Sequence, residues 1–434
     1  MANTSFSFAG APLRPPSKSA AARKNNDKDV PLAFLSNQFS HINLRASGPA
    51  FLVGMGHGAT HWVLAAFYVV LPYLSKDLGL SYTQAGALVS LFHAASFVAN
   101  LGSGAVVDIA GRRVLVQALS LIIGALALIA VGYSSGLAGL ILPITLIGLT
   151  NNLWHPAAIS FLSRAFPKTR GFALSIHTLG ATFGDMLAPL AVGALLTAMT
   201  WRDSTIVSAL PVFAVAAILV FSLRETESDA IQGNTKERSK SYVSGVVDLL
   251  RDRAVLSLCL MAGFRSMTQN GLLVFIPLYL VSVLKVSPVT LGFALAVLQA
   301  GGILAGPIAG AWSDRAGRQP VALICLAATT VAIMGFAFVT SLPAFIALAF
   351  VLGFALFSVR PVIHSWTMDL ADDAMAGTAV SVLFGAQTAF TLAVPTIGGL
   401  IADQWGLHTV FYLLAATSLI ATVITYTLPD VKRT

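Results

Sequence analysis

Two arginines, six histidines and one aspartate fall inside long apolar runs of this 434-residue chain. Arg265 lies within "MAGFRSMTQNGLLVFIPLYL" (261–280) and Arg360 within "FALFSVRPVIHSW" (354–366). A guanidinium stays charged and presents a planar fork of donors, which suits carboxylate, phosphate or phosphonate. His57, His61, His93, His155, His177 and His364 supply imidazoles, the side chain that exchanges protons near neutral pH. Asp185 is the lone mid-span carboxylate, either a proton site or a counter-ion. On a helix, residues three and four apart share a face. His57 with His61, Asn151 with His155, Thr182 with Asp185, Arg265 with Thr268 and Gln269, and Arg360 with His364 therefore form short polar stripes. His93, Ser96 and Asn100 form another, and Pro156 is expected to bend its helix.

The elements that carry these stripes must cross a membrane. The chain is 56% hydrophobic and 10% charged, against about 25% charged in a soluble domain. Twelve apolar stretches of spanning length centre on 50–74, 83–106, 113–133, 137–162, 170–199, 204–223, 254–282, 289–312, 320–340, 343–367, 375–401 and 407–428. The fold class is an all-α membrane protein of twelve transmembrane helices in two pseudo-symmetric six-helix bundles. The expected organisation is a basic cytoplasmic tail without stable structure (1–48), a bundle (49–223), a cytoplasmic linker (224–253), a second bundle (254–428) and a short tail (429–434). The tail lacks the apolar stretch of a secretory signal, although its Ser and basic content leaves a transit peptide as the competing reading.

With both termini inside, 21 Lys and Arg fall in cytoplasmic segments and only Lys76, Arg202 and Lys285 fall outside. That split fixes the orientation and explains the net charge of +8 without nucleic acid. A guanidinium at the centre of a span costs at least ~2.5–3.5 kcal/mol, so Arg265 and Arg360 need a cause. Cys259 and Cys325 make neither a disulfide framework nor a metal spacing, and no histidine spacing argues for a metal.

The halves repeat. "GAVVDIAGRR" (104–113) and "GAWSDRAGRQ" (310–319) lie 206 residues apart and agree at six of ten positions. The same offset aligns Gly86 with Gly292, Gly171 with Gly377, Ser175 with Ser381, Pro189 with Pro395 and Gly193 with Gly399. A compositional echo of Gly and Ala is the bland alternative. Parallel six-span repeats are a transporter architecture. In the loops, Gly104 and Gly310 are expected to let helix ends pack closely. Asp108 and Asp314 are expected to bond to basic residues or a helix N-terminus, holding one face closed until rocking releases it. Arg112 and Arg113 also fix topology, which is all that a purely topological loop would need.

The pattern resembles the major facilitator superfamily over nearly the whole chain after the tail. Asp108, Gly111 and Arg112, and their copies Asp314, Gly317 and Arg318, match its gating-loop motif. The resemblance implies two six-helix bundles, alternating access, and a central cavity lined mainly by spans 1, 4, 7 and 10. "GHGATHW" (56–62), "WHPAAISFLSRAF" (154–166) and "SIHTLGATFGDMLAPL" (175–190) are similar to stretches of the fosmidomycin-resistance-type exporters of bacteria. Here His61 stands where those proteins often have an acid, Ala157 replaces a Glu, and Asp185 stands where a small polar residue is common. Gly184, Pro189 and Gly193 match part of the antiporter signature of span five, where they would serve helix packing.

The offset places Arg265 opposite position 59, between His57 and His61, and Arg360 opposite position 154, beside His155. A ring of basic groups around the cavity follows, with Arg265, Arg360, His57, His61, His155, His364, Asn151 and Gln269 as candidate substrate contacts. Asp185 and His155 are the proton-coupling candidates. The alternative for Arg265 is a permanent structural bond to Asp185 or to carbonyls. The leading function is a proton-coupled exporter of a small anionic or amphiphilic compound in a bacterial inner membrane, working as a monomer with no cofactor beyond the proton gradient. The alternatives are an uptake symporter for an organic anion and a substrate sensor that no longer transports. No P-loop, metal motif or soluble catalytic domain supports an enzyme.

Overall fold

A computed structural model describes residues 47–224, 249, 251–339, 341–370 and 376–430, apart from the side chains at 105, 108, 376 and 377. All but two residues of the expected tail, most of the expected linker, the last four residues and the Asp108 side chain lie outside the described residues. The described chain is helical. The helices are α1 Gly48–Asp77, α2 Tyr82–Ala110, α3 Arg113–Tyr133, α4 Leu137–Ala165, α5 Arg170–Ala198, α6 Trp201–Ser222, α7 Arg253–Ser282, α8 Pro288–Ala316, α9 Arg318–Phe336, α10 Leu342–Leu370, α11 in two pieces (Ala376–Thr391 and Val394–Trp405), and α12 Leu407–Thr427. Eleven of them are long and apolar enough to cross a membrane. The other, α7, has 30 residues, so its length suffices. Its middle carries Arg265, Ser266, Thr268, Gln269 and Asn270, and these lower its hydropathy.

Local chemistry sets the helix ends. Ser81 and Gln84 form a reciprocal capping box at the start of α2, and Ser287 accepts from the Thr290 amide at the start of α8. α2 and α8 end on Gly111 (φ +63°) and Gly317 (φ +99°), a conformation that an L side chain rarely adopts. α11 breaks just before Pro395, which lies in the first turn of its second piece, where a missing N–H costs nothing. α4 runs unbroken through Pro156.

The same packing scheme recurs in both halves. α1 packs on α5 and α2 on α4; α7 packs on α11 and α8 on α10. The halves meet along two crossings, α2 with α11 and α5 with α8. There, a Cβ on Gly86 would strike the Pro395 carbonyl, and one on Gly292 the Pro189 carbonyl. A Cβ on Gly399 would strike the Tyr82 carbonyl, and one on Gly193 the Pro288 carbonyl. All four contacts obey the 206-residue offset, so the two crossings are copies of each other. Gly193 and Pro189, expected as packing residues of one helix, thus serve the seam between the halves.

These crossings involve the start of α2 and α8 and the end of α5 and α11, so they close one face. Asp403 reinforces that face by accepting from the Tyr82 and Thr83 amides, both at 2.9 Å, and from the Thr83 hydroxyl at 2.6 Å. The far ends of the same helices are apart. Gly102, Gly104, Gly306 and Gly310 have no neighbouring atom within 4 Å of an added Cβ, and Leu101 and Ile109 are 76% and 87% exposed. The molecule is open toward the face that carries both "GxxxDxxGR" loops and both ends of the described chain.

The loop residues are seen here with their face open. Gly104 and Gly310 do not serve close packing here, because nothing approaches them; Gly111 and Gly317 are the glycines with a steric requirement. Asp314 bonds a basic residue, and with this face open no loop bond joins the two halves among the described residues. Arg318 bonds Asp314 (2.6 Å), Asp369 (2.9 Å) and Ser313 (2.6 Å), all within the C-terminal half. In the N-terminal half, Arg112 is exposed while the buried Arg113 donates to Ser160 at 3.0 Å.

Candidate functional site

Between the halves lies a cavity of about 270 Å³. His61, His155, Asn151 and Asp185 line it from the N-terminal half; Arg265, Gln269 and Arg360 line it from the C-terminal half. Two expected contacts lie elsewhere. His57 is buried behind the N-terminal wall, and His364 packs its ring on Phe384 at 5.2 Å. The stripe on α7 also splits: Gln269 faces the cavity, whereas Thr268 bonds Thr417 on α12 at 2.9 Å.

The N-terminal wall is built by glycine. An added Cβ on Gly58 or Gly184 would run into the other helix at Gly180 or Gly58, and one on Gly180 into Gly54. The α1 and α5 backbones therefore touch, and their side chains interlock. His57 stacks on His177 with ring centroids 3.8 Å apart. Its Nδ1 donates to the His177 carbonyl at 2.7 Å, and its Nε2 faces His155 Nε2 at 3.2 Å. His61 Nδ1 lies 3.0 Å from Asp185 Oδ2. Gly184 lies at this contact between α1 and α5.

The C-terminal wall is looser. Arg265 is 3% exposed and donates from one terminal nitrogen to the Leu356 carbonyl at 2.9 Å, while its Nε is buried without a hydrogen-bond partner. The carbonyl half of the structural alternative is therefore present, and the Asp185 half is absent, because Asp185 pairs with His61. Arg360 is exposed to the cavity and makes no hydrogen bond or salt bridge among the described residues. The Gln269 carbonyl oxygen is buried and unpaired. A buried polar atom without a partner costs about 1–3 kcal/mol, so a ligand group that bonded to these atoms would relieve that cost.

The sequence reading missed Tyr68, Gln299, Gln387 and Thr388, all on the cavity wall, and left His93 as a packing residue although it lines the cavity too. The repeat held one signal for them, since Gln299 lies 206 residues after His93.

A bilobal helical bundle closed at one face, with a polar cavity at its centre, is the architecture of a membrane carrier. The profile of the Major Facilitator Superfamily matches residues 50–298 and 258–434. The chain is 24% identical over 398 residues to the phosphoglycerate transporter protein of Salmonella typhimurium, covering 83% of this chain and 84% of that one. It is 23% identical over 367 residues to the multidrug resistance protein MdtG of Salmonella arizonae, covering 82% and 89%. A bacterial homolog of the human lysosomal transporter Spinster, in an inward-facing and unoccupied conformation, superposes with a TM-score of 0.73 at 18% identity, over 88% of this chain and 96% of that one. The chain belongs to the Major Facilitator Superfamily: it is a multi-pass membrane transporter and not an enzyme.

Proposed function

We propose that the protein is a secondary active exporter of small anionic or amphiphilic compounds, of the phosphonate or organic phosphate kind, driven by the proton gradient. Arg360 carries this reading: a cavity-facing guanidinium with no hydrogen bond or salt bridge among the described residues, beside an Arg265 that is only partly satisfied. Asp185, the one carboxylate among the described cavity residues, is already held by His61, so positive charge is left for a ligand. Bidentate anion recognition suits both guanidinium groups. The relatives named as a phosphoglycerate transporter and a multidrug resistance protein fit an anionic cargo and an export direction respectively. The distribution of Lys and Arg favours both termini cytoplasmic, so that the cavity opens to the cytoplasm, and the bacterial relatives favour a bacterial inner membrane. The site-bearing halves form one complete cavity in a single chain, which favours a monomer.

The test is proton flux in liposomes that hold a pH-sensitive dye. Phosphonates, organic phosphates, carboxylates and cationic drugs are added in turn, to the wild type and to Arg360→Ala. An anion-triggered flux lost in the folded variant supports the reading. Proton movement opposite to the substrate gradient means export by antiport; movement with it means uptake by symport. A response to cations alone overturns the anionic cargo.

A further inference from the structure

Two carbonyl oxygens fix where the hydrogens sit on a pair of cavity imidazoles. A carbonyl only accepts. His57 Nδ1 lies 2.7 Å from the His177 carbonyl, and His155 Nδ1 lies 2.8 Å from the Asn151 carbonyl, so each Nδ1 is the donor. In neutral rings, both Nε2 atoms then point lone pairs at each other across 3.2 Å. Lone pairs at that distance repel unless a cation joins them. Two nitrogens each ~2.0–2.1 Å from a tetrahedral ion stand about 3.3 Å apart, which is the spacing found here.

A third imidazole is at hand. The ligand atoms of His57, His61 and His155 all lie within 4.8 Å of one another. His61 Nδ1 is engaged by Asp185, which leaves Nε2 as its ligand atom. All three rings thus have the second nitrogen bonded to a carbonyl or a carboxylate, the arrangement that orients imidazoles on a metal. His61 is partly exposed and lines the cavity, and its ring must turn inward from the spacing of up to 4.8 Å seen here to reach the ~3.3 Å spacing of a shared ion. We propose that His57, His61 and His155 hold a divalent transition ion of the Zn2+ class, with Asp185 as the positioning residue. His61 and His155 both line the cavity, so the fourth coordination position faces it and takes water or an anionic group. Soft thiolates are absent from the cluster, and three imidazoles suit Zn2+, Co2+, Ni2+ or Cu2+ and not Mg2+ or Ca2+. The site stands on the imidazole geometry and holds whatever cargo the cavity carries.

The full chain is purified in micelles, freed of any histidine tag, and titrated with Co2+ and then with competing Zn2+. The expected result is one Co2+ per chain, with the intense visible bands of a four-coordinate ion, displaced by Zn2+. His155→Gln is expected to abolish the bands. Asp185→Asn keeps the three ligands and is expected to weaken binding ~10–100-fold while leaving the bands in place. X-ray absorption of the Zn2+-loaded wild type, which needs no variant to fold, is expected to show imidazole scattering. Absence of saturable binding, equal affinity in a folded His155→Gln, or sulfur scattering from Cys259 or Cys325 would overturn the site. Absence of binding would leave a shared proton as the occupant of the His57–His155 pair.

Discussion

Positions 54 and 58 on α1 and 180 and 184 on α5 are glycines, and the two backbones touch. The equivalent positions of the C-terminal half are Leu260, Phe264, Ala386 and Phe390, and there the Phe264 and Phe390 rings meet at 5.2 Å between centroids. The first arrangement gathers four imidazoles and a carboxylate into one cluster of ring contacts and short polar contacts. The second holds α7 and α11 apart on rings and leaves Arg265 a single carbonyl partner. Where Arg265 and Arg360 stand, the N-terminal half has Ala59 and Trp154, both apolar and buried. Yet at the closed face the halves are alike, with Gly86 matched by Gly292 and Gly193 by Gly399. Duplication preserved the seam that both halves must share. The two walls diverged because each contributes different chemistry to one cavity.

The comparison can be broken most severely at the α1–α5 contact. Gly184→Phe imposes on the N-terminal half the residue found at the equivalent place in the other half. Overpacking against backbone costs ~1–3 kcal/mol or more, and a monodisperse peak in size-exclusion chromatography is expected to be lost. The converse change, Phe390→Ala, removes a half-buried ring and is expected to cost less than the ~3–5 kcal/mol of a fully buried one. Equal melting temperatures for the two variants would remove the asymmetry. The next effect falls on the cavity. Arg360→Ala is expected to weaken anion binding by ~1.5–3 kcal/mol, about 10–150-fold by calorimetry. His364→Ala, one turn away but outside the cavity, is expected to leave affinity unchanged.

The shared seam gives smaller shifts. Gly86→Val and Gly292→Val each disfavour the closed face by ~1–3 kcal/mol. Labelling of Ser90→Cys, whose hydroxyl now meets Thr396 across the seam at 2.8 Å, is expected to rise equally in both. The native cysteines are buried and give little background. Asp403→Asn removes a charge from the α2 N-terminus, and no carboxylate stands at the equivalent position, Thr197. It is expected to shift the same labelling by only ~0.3–1 kcal/mol, a few-fold at most.

Hydropathy and the Lys/Arg distribution made the helices legible, and the 206-residue offset made the halves legible. The offset also marked Gly86, Gly193, Gly292 and Gly399 without showing that they cross between halves, because a period says what matches and not what touches. α7 is the instructive span: Arg265 and its polar neighbours lower its hydropathy, yet the apolar residues on either side of them still mark the span at 254–282, against Arg253–Ser282 in the structure. His61, His155, Arg265 and Arg360 could be placed on helix faces from their spacing. The pairing of Asp185 with His61 instead of Arg265 could not, since it depends on how closely glycine lets α1 approach α5. The His57–His155 contact joins residues 98 positions apart and leaves no local pattern. Gly104 and Gly310 stand clear of neighbours with their face open, and a glycine before a loop serves packing or flexibility equally well.

The most direct measurement is counterflow. Liposomes containing the purified protein are loaded with an unlabelled organic phosphate or phosphonate and diluted into a trace of the labelled compound. The expected result is transient accumulation of label by the wild type and none by a folded Arg360→Ala, since the Arg360 guanidinium faces the cavity without a hydrogen bond or salt bridge among the described residues. Undiminished accumulation in Arg360→Ala, or counterflow of cationic compounds and not of anions, would contradict an anion site built by the C-terminal wall.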